Sequence, residues 1–186
     1  QTYTVPAGVT SITIEAYGAQ GAGDNGTTGG LGAYMSGDFV VNPFDQLKIL
    51  VGENGGFDPG GSNSSGGGGG SFVVQNSGNI PMIIAGGGGG TNGAPLNGNQ
   101  NAPVTNNGLN GYSHSPYTSN LGIGGVSGNG AIDNGSCAGN GGGFYTDGDP
   151  EGCCGDTDFG IAFVNGGTAA TNGGCGTLSP GGFGGG

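Results

Sequence analysis

Gly66-Gly67-Gly68-Gly69-Gly70-Ser71-Phe72-Val73-Val74-Gln75, followed by Pro81-Met82-Ile83-Ile84-Ala85-Gly86-Gly87-Gly88-Gly89-Gly90, sets two runs of five glycines directly against two short apolar stretches. A Gly/Ser linker would join two domains, whereas these runs are threaded between apolar segments of one. The chain holds 53 glycines in 186 residues, with no collagen-like period of three to account for them. Glycine loses more backbone entropy on folding than any other residue, so such runs become ordered only when the backbone itself is packed and hydrogen-bonded. Polyproline II geometry allows this, with three residues per turn, a rise of about 3.1 Å and no internal hydrogen bonds. Without side chains such helices lie close together, and each buried N–H and C=O finds its partner on a neighbour. Five glycines in that form span roughly 15 Å, comparable with a strand of about five residues. The sequence therefore predicts a polyglycine II bundle beside a β-sheet, against the alternative of flexible loop ends.

The strands predicted around these runs follow from period-two alternation. Ile12, Ile14 and Ala16 share one face, with Thr13, Glu15 and Tyr17 on the other. Pro6-Ala7-Gly8 marks a turn after a short strand over Thr2 to Val5. Phe39 and Val41 mark a strand that stops at Asn42-Pro43, where proline cannot donate to a ladder, and Asp45 helps to form the turn. Leu47, Ile49 and Val51 repeat the alternation, and Phe72 to Gln75 and Met82 to Ala85 are short strands. Phe159, Ile161 and Phe163 alternate once more, which predicts a strand returning to the sheet. No segment carries a helical stripe, so the expected fold is all-β with no substantial α-helix. The expected organisation is a single glycine-rich β domain over residues 1–186. Core strands and glycine runs occupy 1–90, an Asn/Gly-rich insert 91–135, and a disulfide-stapled region with the return strand and a glycine-rich tail 136–186. That tail leads to the expectation that the natural chain continues past residue 186.

Composition excludes several classes of function. Only 7% of residues are charged, against about a quarter in ordinary domains. Twelve carboxylates face the single Lys48, with no arginine, for a formal charge of −11. Such a chain is repelled by phosphate backbones, so neither nucleic acid nor anionic membrane is an expected partner. No apolar run approaches the roughly 20 residues of a membrane-spanning helix, so no membrane insertion is expected. A start at Gln1 and four cysteines in a polar chain favour a mature, secreted protein. Gly18-Ala19-Gln20-Gly21-Ala22-Gly23 follows a strand, yet no helix or Gly-Lys-Ser/Thr follows, so it is not a nucleotide loop. His114 is the only histidine and has no acidic neighbour in sequence, so no catalytic constellation is visible.

The opening Tyr3-Thr4-Val5-Pro6-Ala7-Gly8-Val9-Thr10-Ser11-Ile12, with Glu15-Ala16-Tyr17-Gly18-Ala19-Gln20-Gly21, resembles secreted glycine-rich domains of bacterial surface proteins, Bacteroidota among them. The order that follows is similar as well: Gly30 to Tyr34, the Asn42-Pro43 turn, Leu47 to Gly52, Gly66 to Phe72, then Pro81 to Ala85 entering the second run. It also resembles the glycine-rich extracellular domain of receptors of the anaplastic lymphoma kinase type. The resemblance covers residues 1–90 well, the region from Cys137 to Gly186 loosely and the insert hardly at all. It implies a TNF-like, jelly-roll-type β-sandwich with an associated polyglycine II bundle. It further implies a secreted or cell-surface location, with export by the type 9 secretion system. The expected function is a non-enzymatic adhesion or binding module for a glycan or protein surface ligand. The alternative is a self-associating structural unit of an extracellular matrix or fibre, using exposed strand edges.

Candidate site residues come from three clusters. Four cysteines permit three pairings. Cys153 and Cys154 are adjacent and bond each other only with backbone strain, which pairs Cys137 and Cys175 with one member each of that couple. A zinc site is the alternative, but two Cys-x-x-Cys arms are absent. Asp147, Asp149, Glu151 and Asp158 occupy positions one, three, five and twelve of a loop, an echo of an EF-hand calcium site. Pro150 and the vicinal cysteines depart from that pattern, and the competing reading is a solvated acidic loop. Calcium is thus the candidate metal. Tyr112 and Tyr117, in the Asn/Thr/Tyr-rich insert, are the candidate ligand contacts.

Overall fold

The computed structural model describes residues 1–23, 27–57, 65–91, 100–111, 122–134, 140–150, 158–171 and 180–182. Six strands form: β1 (Thr2–Thr4), β2 (Ser11–Tyr17), β3 (Tyr34–Val40), β4 (Gln46–Leu50), β5 (Ser71–Gln75) and β6 (Ile80–Ala85). They make two antiparallel sheets, one of four strands in the order β1-β4-β5-β6 and one formed by the β2–β3 pair. The fold is all-β, as the alternation predicts, and a single 3₁₀ turn at Phe163–Asn165 is the one helical element among the described residues.

Strand alternation determines the layers. Leu47, Val73, Ile83 and Ala85 of the four-stranded sheet pack with Ala16, Ile12, Ile14, Met35 and Phe39 from the β2–β3 pair. The opposite face of the larger sheet carries Phe72, Val74, Leu50 and Ile84, and these pack against Phe144 and Phe163 from the carboxy-terminal third. β5 is therefore covered on both faces, which is why Phe72, Val73 and Val74 form a continuous apolar run. The turn between β3 and β4 forms as its residues predict. Asp45 accepts the Asn42 amide on its carboxylate at 2.8 Å and donates its own to the Asn42 carbonyl at 3.1 Å. Lys48 reaches past its strand to the Asn79 side chain at 2.9 Å.

Glycine segments form the second part of the fold, and their hydrogen bonds advance by three residues at a time. Ala19 and Ala22 donate to the Gly69 and Gly66 carbonyls, so these two segments run antiparallel. Gly88 and Thr91 donate to Ala19 and Ala22, a parallel pair with the same step. Gly18 and Gly21 donate to Ala33 and Gly30, while Gly30 and Ala33 donate to Gly89 and Gly86. These eight bonds are 2.8–3.2 Å long, and their period is that of a helix with three residues per turn. Residues 18–23, 28–33, 66–69 and 86–91 thus form a unit of laterally bonded glycine segments with a step of three, joined by Gly55 donating to the Gln20 carbonyl. Segments approach too closely for side chains at the facing positions. A Cβ built on Gly18 or Gly21 would overlap the carbonyl oxygen of Gly86 or Gly89. The intervening Ala19, Gln20 and Ala22 point elsewhere, which explains why side chains are tolerated beside Gly18 and Gly21 but not at them.

Ser71 joins this unit to the sheet. Its buried hydroxyl donates to the Tyr17 carbonyl at 2.6 Å and accepts the Gly52 amide at 3.0 Å. Ser71→Ala orphans both groups and is expected to cost about 1–3 kcal/mol, read as a shift of the denaturant midpoint. A loss under a few tenths of that would show that the two backbone groups find other partners.

The expected return strand does not form. No residue from Phe159 to Phe163 joins a sheet; instead Gly160 and Phe163 donate to the carbonyls of Asn140 and Gly143, again a step of three. Gly160 and Phe163 are the two rungs of that ladder, so the apolar alternation of Phe159, Ile161 and Phe163 is overridden by lateral main-chain bonding. Gly108 and Gly111 donate likewise to Gly125 and Gly122, so part of the 91–135 insert also packs as laterally bonded glycine segments.

Candidate functional site

A cleft of about 540 Å³ opens between the two glycine regions and the terminal strand β6. Its floor is Phe72 and Ile84 of the sheet together with Phe144, and one wall is the glycine run 86–89. The other wall comes from residues 100–109 and 124–131. The first of these is fixed by backbone bonds: Gly89 donates to the Gln100 carbonyl at 2.7 Å and Ala102 to Leu31 at 2.8 Å. The Asn101 side chain accepts the Leu31 amide at 2.8 Å. The second is held to the first where Ser127 donates to Asn106 at 3.0 Å and to the Asn107 side chain. Every wall is therefore bolted to a neighbour through its main chain.

The chemistry of the cleft is uncharged. Among the described lining residues there is no Asp, Glu, Lys or His, and the polar groups are amides and hydroxyls such as Gln100, Asn129 and Ser127. The Gln100 Oε1 atom is buried and accepts no hydrogen bond. A buried acceptor without a donor costs free energy, and Gln100 is one of the residues that line the cleft.

Of the expected metal ligands, Asp147, Asp149 and Asp158 lie among the described residues. Asp147 accepts the Ala162 amide at 2.7 Å and the Asn165 side chain at 2.9 Å, tying the 140s to the 3₁₀ turn. Asp149 accepts the Asp133 amide at 3.3 Å, and Asp158 accepts the Thr171 hydroxyl at 2.9 Å. Among the described residues no three His, Cys, Asp or Glu side chains gather. Glu151, the four cysteines Cys137, Cys153, Cys154 and Cys175, and both Tyr112 and Tyr117 lie outside the described residues. Sequence reasoning did not find Gln100 or the cleft, because nothing in Asn99-Gln100-Asn101 distinguishes it from the surrounding polar insert. No protein-family model matches the chain, and no curated protein matches it.

Proposed function

We propose that this chain is a non-enzymatic, secreted or cell-surface binding module whose cleft takes an uncharged, hydrogen-bond-donating ligand. The observation that carries the reading is a cleft lined without charge, one of whose lining residues, Gln100, holds a buried acceptor without a partner. A volume of about 540 Å³ lies within the range of small-molecule and peptide-anchor sites. Rigid backbone walls favour it further, since a preorganised site loses little entropy on binding. The two stacked sheets are compatible with the TNF-like jelly-roll type that the sequence resembles, and the glycine bundle with a bacterial surface protein exported by the type 9 route. No helix among the described residues is long and apolar enough to cross a membrane.

Gln100→Leu gives the test. It removes the orphan acceptor, so stability is expected to hold or rise while binding of uncharged fragments, followed by ligand-observed NMR, falls at least about tenfold. Fragments that bind both proteins equally would overturn the cleft as the working site. The second reading, self-association into a matrix or fibre, is favoured by β1 and β6 standing at the two ends of their sheet. Light scattering that rises steeply with concentration would select it.

A further inference from the structure

On the far side of the molecule from the four-stranded sheet, the outer face of the β2–β3 pair is uncovered among the described residues. Four cross-strand pairs make up this face: Ser11 with Val40, Thr13 with Asp38, Glu15 with Ser36, and Tyr17 with Tyr34. All eight side chains are exposed. Tyr17 and Tyr34 lie with ring centroids 4.7 Å apart and planes tilted by 34°, yet Tyr17 remains 63% and Tyr34 46% exposed. The Tyr34 hydroxyl donates to Glu15 Oε1 at 3.2 Å, and the Thr13 hydroxyl donates to Asp38 at 2.6 Å. The rings and carboxylates are thus held in position before any ligand arrives.

We infer that this face is a binding platform for an uncharged oligosaccharide. The aromatic pair offers a broad apolar surface of the kind that meets the C–H face of a pyranose, with polar atoms at its border. Glu15 Oε2 and the Tyr17 hydroxyl bear no hydrogen bond among the described residues, and both can accept from sugar hydroxyls. Charge narrows the ligand: the ionised groups of this face are Glu15 and Asp38, both negative, in a chain of formal charge −11. Sulfated, sialylated and nucleic-acid ligands are therefore repelled. A protein partner seeking an apolar patch finds only Val40 beyond the tyrosines. From Tyr34 to Asp38 the face runs roughly 13 Å along the strand, long enough for several sugar units.

The proposal rests on the reading of the chain as a binding module but not on the cleft. The test is calorimetry with uncharged hexamers of glucose, xylose and N-acetylglucosamine, together with sulfated and sialylated glycans. At least one uncharged hexamer is expected to bind, with affinity falling at least about tenfold in Tyr17→Ala and in Tyr34→Ala. Tyr17→Phe is expected to keep most of the affinity, because the ring remains. Gln100→Leu is expected to leave it unchanged, which separates this site from the cleft. Circular dichroism confirms that each variant is folded, and both positions are exposed. The idea is overturned if no uncharged hexamer binds at millimolar concentration, if folded Tyr17→Ala/Tyr34→Ala protein binds as wild type does, or if anionic glycans bind better.

Discussion

Gly87→Ala is expected to destabilise the domain severely, whereas Gly89→Ala, two residues further on, is expected to leave it as stable or slightly more so. The same atom is added in both cases, to the same run of five glycines, and neither position has a left-handed backbone. What differs is the direction in which the new methyl points. At Gly87 it would overlap the main-chain carbonyl of Gly68, and neither segment can retreat, because Gly68 itself donates to the Gly88 carbonyl at 2.7 Å. Overpacking of this kind costs upwards of about 3 kcal/mol, a large share of the roughly 5–15 kcal/mol that holds a domain together. At Gly89 the nearest atom, the Gln100 carbonyl oxygen, lies at an ordinary 3.5 Å. There the substitution mainly restricts the unfolded chain, a gain of about 0.4–1 kcal/mol. Chemical denaturation of the two variants measures the difference, and amide exchange at Gly68 and Gly88 reports whether the bundle remains closed. Equal effects at the two positions would mean that the runs are not held in the phase described.

Phe144→Ala is expected to cost about 3–5 kcal/mol, or roughly 6–20 °C in melting temperature. Phe144 is 1% exposed and stacks on Phe163 with centroids 5.3 Å apart, while Phe72 of the central strand lies 6.4 Å away. Tyr145 meets the same ring edge-on at 4.7 Å. These rings join the second glycine region to the sheet, and no other buried apolar cluster among the described residues bridges them. The loss should therefore appear first in amide protection at Gly143, Gly160 and Phe163, with β2 and β3 protected until the main transition. A melting temperature lowered by under about 2 °C would show that the aromatic cluster does not carry this joint.

The readable and unreadable parts of this chain divide by physical period. Strands announce themselves through side chains that alternate, so Ile12-Thr13-Ile14 and Leu47-Lys48-Ile49 specify both their conformation and the face that they bury. The Asn42-Pro43 turn is equally legible, since one residue lacks a donor and Asp45 supplies an acceptor. The two long glycine runs disclose backbone packing because they are threaded between apolar strands of one domain, where a flexible linker has no place. Shorter glycine segments are harder to read. Gly108-Leu109-Asn110-Gly111 and Gly122-Ile123-Gly124-Gly125 resemble loop sequence, and only their paired hydrogen bonds reveal a ladder. Phe159-Gly160-Ile161-Ala162-Phe163 misleads in the opposite way, because two apolar residues flanking a glycine fit alternation and a step of three equally well. The cleft is a product of three distant segments meeting, and no local pattern in any of them encodes it.

A ladder that bonds at every third residue has a reading frame. One extra glycine between Ser65 and Ser71 would turn everything after it by about 120°, presenting the wrong edge of the chain to residues 18–23 and delivering β5 to the sheet out of register. Three extra would restore the phase. Length in this molecule is thus counted in triplets, and a lineage can lengthen or shorten such a scaffold only by whole turns.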